Sequence, residues 1–216
     1  AVIVNGGVYS GAASATLTLT GITSAMNGYD YRVTVANGAP SVCVASLTSG
    51  GVNLTVEEVP EITLQPVAST ICENTNTTFT VNAGVTTVPA YQWQESTNGG
   101  SSYSNVVNGG IYSGATLGTL TLTGVPLGSN GYLYRVIVSG TCAPSVVSNG
   151  AVLNVEQNVV IGTAPVAATG CEGSTVSYSV SASGSGLTYV WEEDNGGGFA
   201  VIVNGGVYSG AASATL

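Results

Sequence analysis

The chain is 216 residues long and sets 11 acidic residues against Arg32 and Arg135, with no Lys and no His, for a net charge of −9. Two cations cannot neutralise a row of phosphates, so nucleic acid is excluded as a partner, and anionic membrane surfaces are disfavoured for the same reason. Charged residues make up 6% of the chain against roughly 25% in ordinary globular proteins, which leaves Thr, Ser, Asn and Gly to cover the surface.

Without His there is no Ser-His-Asp or Cys-His arrangement, and without Lys no Schiff base, no Ser-Lys nucleophile and no Lys–Asn isopeptide cross-link. The chain is expected not to be an enzyme. Gly, Asn, Ser and Thr interrupt every apolar run before it reaches the roughly 20 residues of a membrane-spanning helix, so no membrane insertion is expected. No cationic segment precedes an apolar one, so no signal peptide is visible.

In chain order the first feature is a repeat. Residues 4–35, VNGGVYSGAASATLTLTGITSAMNGYDYRVTV, match 107–138 at 21 of 32 positions with an offset of 103. CENTNTTFTV from Cys72 is echoed by CEGSTVSYSV from Cys171, and YQW at 91–93 by YVW at 189–191. Asn108 recurs as Asn204, and residues 200–216 repeat residues 1–17 without a mismatch, which sets a period of 199. The reading is a window on a tandem array, framed inside a domain at both ends.

The segments between Gly, Asn and Pro alternate, as in TFTVNA at 78–83 and TLTLTG at 119–124, and none has helical periodicity. Residues 58–155 are expected to form one complete domain. Its strands are placed near Ile62–Gln65, Thr77–Ala83, Tyr91–Glu95, Ser104–Val107, Thr119–Thr123, Tyr132–Val138 and Val147–Val155. Residues 1–57 hold the C-terminal part of a domain, and residues 156–216 the N-terminal part of the next, of the same type as 1–57. Neither part is expected to close a sandwich alone.

Cys-Glu, an alternating strand, Tyr-x-Trp, TLTLTG and NGYxYRV, in that order, resemble the bacterial immunoglobulin-like repeats of giant secreted surface adhesins. These belong to gliding, filamentous bacteria and often use type IX secretion. The resemblance covers the whole chain and implies an all-β fold of tandem Ig-like β-sandwiches, an extracellular or cell-surface location and a structural role. In that frame Trp93 and Trp191 point inward, and Val81 and Val136 stand where an Ig domain carries its inter-sheet disulfide. Tyr134, with Tyr31 as its counterpart, resembles the tyrosine-corner residue. Arg32 and Arg135 lie on the outer face of their strand, near Gln94 or Glu192.

Four cysteines remain: Cys43, Cys72, Cys142 and Cys171. Cys72 falls at a turn nine residues before Val81 and Cys142 in a loop six beyond Val136, at opposite ends of a sandwich, whereas a disulfide needs Cα atoms within about 7 Å. Bridges between neighbouring domains are therefore expected, with an in-domain bridge as the alternative if the strands are misplaced. No metal site is expected at the cysteines. Calcium is the one cofactor left open, at Glu57–Glu61 or Glu192–Asp194, against plain readings as a solvated linker and a turn. Adjacent Glu192 and Glu193 point to opposite strand faces, which argues against a glycosidase pair. Asn53-Leu-Thr and Asn76-Thr-Thr match the glycosylation pattern weakly.

These features predict a repeat unit of a long extracellular filament or adhesin stalk that holds a cell to surfaces or to other cells, prey included. Its partners are other copies of itself, end to end and side by side, with a cell-surface or glycan target at a distal tip. The alternative is a carbohydrate-binding or spacer module of a secreted polysaccharide-degrading enzyme. That reading needs an exposed aromatic platform, for which Tyr9, Tyr112 and Tyr208 are the candidates.

Overall fold

The computed structural model describes residues 1–38 and 46–216, which form two compact units. The chain is all-β apart from two single 3₁₀ turns, Ser24–Met26 and Leu127–Ser129, and no described helix is long and apolar enough to cross a membrane.

One unit comprises Ala1–Leu64, Asn82–Tyr91 and Ile137–Ser148. Its N-terminal stretch carries six short strands in antiparallel pairs. β1 (Tyr9–Ser10) pairs β2 (Thr18–Leu19), β3 (Asp30–Tyr31) pairs β6 (Val52–Asn53), and β4 (Thr34–Ala36) pairs β5 (Ser46–Thr48). Met26 is the one buried apolar residue described before residue 57, and Val33, Val35, Leu47 and Val52 are exposed.

The other unit comprises Gln65–Val81, Gln92–Val136 and Asn149–Leu216 and holds most of the core. Its strands are β7 (Ser69–Cys72), β8 (Thr77–Thr80), β10 (Ser104–Asn105), β11 (Tyr112–Ser113), β12 (Thr119–Leu122) and β15 (Ala151–Glu156), with most of β9 (Ala90–Ser96) and β13 (Leu133–Ser139). β9 begins and β13 ends in the first unit, where β14 (Val146–Val147) pairs the end of β13. One sheet runs β10-β9-β13-β15-β7 and the other β11-β12-β8. Alternation decides which residues face inward. Along β13, Tyr134, Val136 and Val138 are buried while Leu133, Arg135 and Ile137 are only partly so. Leu120 and Leu122 of β12 and Leu153 and Val155 of β15 complete the pattern. The result is an Ig-like β-sandwich, with Phe79 of one sheet against Tyr134 of the other at 4.9 Å between ring centroids. Beyond it, β16 (Val160–Thr163) pairs β17 (Ser181–Ser183), and β18 (Glu192–Glu193) pairs β19 (Ala200–Val201).

Two strand placements need correction. The first strand of the sandwich was expected at Ile62–Gln65, but that segment contributes only an isolated bridge from Leu64 to Asn82. Pro66 cannot donate to a ladder, and the chain re-enters a sheet at β7, parallel to β15, with Cys72 level with Glu156. Cys72 is therefore the last residue of a strand and opens the turn that follows it, whose Thr75 amide donates to the Cys72 carbonyl at 3.3 Å. The sequence reading also passed over β11, whose two residues pair Tyr112 with Leu122 and Ser113 with Thr121.

β11 belongs to a device that occurs three times. Asn108 accepts the Ala115 amide at 2.9 Å, Asn5 the Ala12 amide at 2.8 Å and Asn204 the Ala211 amide at 2.9 Å. A tight hairpin joins Gly109 to Tyr112, Gly6 to Tyr9 and Gly205 to Tyr208. The glycine after each Tyr-Ser is obligatory. A Cβ on Gly114, at φ 76°, would lie 2.2 Å from the Thr119 carbonyl oxygen, and Gly11 and Gly210 meet Thr16 and Thr215 equally closely.

Trp93→Ala removes a side chain with no solvent exposure and is expected to lower stability by about 3–5 kcal/mol in urea unfolding. Val35→Ala, at a site 66% exposed, should stay within about 0.5 kcal/mol. Equal costs would contradict a core centred on residues 79–155.

Candidate functional site: a tyrosine–glutamate cluster and the cysteine-bearing ends

The sandwich core has a polar centre. Tyr134 is fully buried, and its hydroxyl lies 3.0 Å from the Tyr112 hydroxyl. Tyr112 in turn donates to Glu95 Oε2 at 2.6 Å. A buried phenol without a partner costs free energy, so these residues satisfy one another across β13, β11 and β9. The tyrosine-corner expectation is corrected here: Tyr134 binds a second tyrosine and not the nearby main chain. The Tyr31 hydroxyl, half-buried, lies 3.4 Å from the Tyr9 hydroxyl, and Tyr208 donates to Glu193, so parts of the same cluster recur earlier and later in the chain. Glu95 and Tyr112 were missed as functional partners. Their signal was the glutamate two residues after each tryptophan, in step with each Tyr-Ser-Gly.

Burial, and then the bond it donates to Glu95, raise the Tyr112 phenol far above its usual value. Burial pushes Tyr134 up to about 12. Tyr31 also rises to about 12, chiefly through its bond with Tyr9, and Tyr208 rises through its bond with Glu193. None of these groups titrates near neutrality. The cluster holds protons firmly, which suits packing and does not suit acid–base catalysis.

Both tryptophans are tied to the main chain. Trp93 Nε1 donates to the Leu117 carbonyl at 2.8 Å, and half-buried Trp191 donates to the Ser213 carbonyl at 2.8 Å. Val81 and Val136 are both buried. Arg135 Nε donates to Gln94 Oε1 at 2.9 Å, and its guanidinium lies 3.7 Å from the centre of the Tyr103 ring, a cation–π contact on the outer face. The platform candidates Tyr9, Tyr112 and Tyr208 are half-buried and their hydroxyls are engaged.

One side chain of each acidic cluster accepts main-chain amides. Glu61 Oε1 accepts the Val85 amide at 3.0 Å, while the Glu58 amide donates to Thr87 Oγ1 at 2.8 Å. Asp194 Oδ1 accepts the amides of Gly196 and Gly198, which hold its carboxyl below the usual range. Among the described residues no group of three potential metal ligands converges. The glycosylation-pattern residues are also engaged: Asn76 Oδ1 accepts the Gly124 amide and Asn53 donates to Asp30.

Cys72 and Cys171 are exposed and Cys142 is half-buried, all three as free thiols, and Cys43 lies outside the described residues. Cys142 Sγ donates to the Glu57 carbonyl at 3.6 Å. Cys72 and Cys171 open identical turns: Thr75 Oγ1 donates to the Cys72 carbonyl at 2.7 Å, and Ser174 Oγ donates to the Cys171 carbonyl at 2.7 Å. A separate open apolar cleft of about 290 Å³ is lined by Val159, Ile161, Val180, Ala182, Leu187 and Trp191.

A family model described as a domain of unknown function (DUF8696) matches residues 63–157. No curated protein sequence matches the chain. Among solved structures it is similar to the I-band fragment I67–I69 of titin, at TM-score 0.66 and 14% identity over 94% of this chain and 68% of that one. An E-to-A variant of the same three titin domains gives TM-score 0.65 and 14% identity, again over 94% and 68%. Extracellular domains 3–5 of Drosophila OTK give TM-score 0.45 and 18% identity over 83% and 56%, too distant to carry an argument. The titin likenesses establish a tandem Ig-like fold and nothing finer.

The folded protein holds the Tyr134 proton more tightly than the unfolded chain, whose phenol titrates near 10. Stability is therefore full below about pH 10 and falls as pH rises toward 12, by an amount on the order of 1 kcal/mol at pH 11. The Tyr112→Phe/Tyr134→Phe pair is expected to flatten that fall in urea titrations at pH 8 and 11; an unchanged slope would place the alkaline loss elsewhere. Separately, Gly114→Ala should cost about 1–3 kcal/mol through strained φ and the Thr119 contact, read as a shift in the urea midpoint.

Proposed function

We propose that the chain is a structural repeat unit of a long extracellular filament or adhesin stalk of the bacterial surface-adhesin type. In this reading it attaches a cell to surfaces or to other cells, including prey. The observation that carries the reading is the device built on Asn5, Asn108 and Asn204, which occurs three times with the same hydrogen bond and the same obligatory glycine. A protein that copies its internal hardware along the chain gains length with each copy and needs no reaction centre.

The partners in this reading are further copies of the chain. Neighbours meet end to end, and a Thr-, Ser- and Asn-rich exterior with few charges lets strands lie side by side with little repulsion. The carbohydrate-binding alternative needs an exposed aromatic platform, and Tyr9, Tyr112 and Tyr208 are each half-buried.

Immunogold labelling with antibody to this repeat, viewed on native cells by electron microscopy, is expected to decorate long unbranched fibres. Label confined to the cell body or to soluble enzyme would overturn the proposal. Isolated fibres should persist from low to molar salt, since only 13 of 216 residues are ionic. Fibres that dissolve as salt rises would show that charge holds them together.

A further inference from the structure

Glu57 and Glu156 occupy the same place in two successive domains. Leu54 exchanges main-chain hydrogen bonds with Tyr29 and Gly28, each at 2.8 Å, as Leu153 does with Tyr132 and Gly131. The Val56 amide donates to Asn27 Oδ1 and the Val155 amide to Asn130 Oδ1, both at 2.9 Å. The glutamate that follows each holds the same position: Glu156 is the last residue of β15, and Glu57 follows β6 by four residues along the same bonded path.

That position is approached by two different cysteine-bearing segments. At Glu156 the neighbour is the cysteine of the same domain: Cys72 is its parallel register partner, and the Glu73 amide donates to the Glu156 carbonyl at 2.8 Å. At Glu57 the neighbour is the cysteine of the following domain, since Cys142 Sγ reaches the Glu57 carbonyl at 3.6 Å. Superposing the two glutamates brings both donors to one oxygen. The amide just after the first cysteine then lies at most about 6.4 Å from the Cys142 sulfur, which brings the two cysteine-bearing segments into the neighbourhood a disulfide needs. The cysteine of the Cys72 type that precedes Cys142 in the array is the Cys171 type, because the two turns are built alike and alternate with the period.

We infer that Cys142 is joined by a disulfide to the Cys171-type cysteine of the preceding domain, so that each such junction is covalently clasped beside its linker. A bridge within one sandwich is opposed by the register of a single strand. Leu133 pairs with Val152, so Cys72 and Glu156 lie level with a point about four residues before Leu133, whereas Cys142 follows nine residues after it. That separation is roughly 30–40 Å along the strand, against a Cα limit of about 7 Å. In forming the bond, two thiols give up two protons and two electrons to a disulfide oxidant, such as oxidised glutathione or a protein disulfide, which leaves as two thiols.

The clasp rests on the tandem-array reading and is tested apart from it. The natural protein is isolated with free thiols alkylated, digested without reduction and mapped by mass spectrometry. The expected product is a linked pair of peptides carrying Cys142 and Cys171, which separates on treatment with dithiothreitol and is missing from Cys142→Ser protein. A linked Cys72–Cys142 pair, or alkylated Cys142 and Cys171, overturns the clasp. Either result leaves the fibre reading standing if labelled fibres are seen, while a cell surface without labelled fibres removes that reading whatever the thiols show.

Discussion

The hydroxyl of Tyr134 sits where no water reaches it, and much of the sandwich is arranged to satisfy it. Phe79 packs its ring against the phenol from the opposite sheet. Tyr112 must bring its own hydroxyl within 3.0 Å, which requires β11 to hydrogen-bond at the edge of β12 despite being two residues long. Glu95 must then stand two residues beyond Trp93 to accept from Tyr112. Leaving Tyr134 unpaired would strand a polar group in a dry interior, and half-buried Tyr112 and Glu95 complete the chain that satisfies it. Among the described residues no buried side-chain nitrogen or oxygen lacks a partner.

The same requirement accounts for the repeated Asn-Gly-Gly-x-Tyr-Ser-Gly. The asparagine holds the chain after the turn, the first glycine opens the hairpin, and the last lets the backbone pass against a threonine carbonyl. What the turn delivers is a tyrosine hydroxyl aimed at the core. Each part of the motif has its own physical reason, and the parts recur together because the turn and the cluster depend on each other.

The alternation of β12 and β13 made the sandwich legible in the sequence, because period-two burial is written directly in TLTLTG and YRVIV. Three features were not legible in this way. The displacement of the first strand follows from Pro66, whose missing donor weakens one edge but does not say where pairing resumes. β11 is too short to show alternation. The partner of Tyr134 is set by a contact between residues 22 apart in the chain, and local pattern carries no information about that pairing. Cys43, by contrast, falls outside the described residues, and the thiols that are described were placed by strand register, which spacing alone approached but did not fix.

The parallel pairing of β7 with β15 has a consequence for a chain under load. The first strand of the sandwich runs from Ser69 toward Cys72, and the last runs beside it from Leu153 to Glu156 in the same direction. When the two ends of the domain are drawn apart, the force enters β7 at its start and leaves β15 at its end, so the strands are urged to slide past each other lengthwise. All four register pairs then carry the load together, instead of opening one after another as they would if peeled from one end. Two terminal strands laid side by side in one direction therefore make the domain's seam resist pulling through shear.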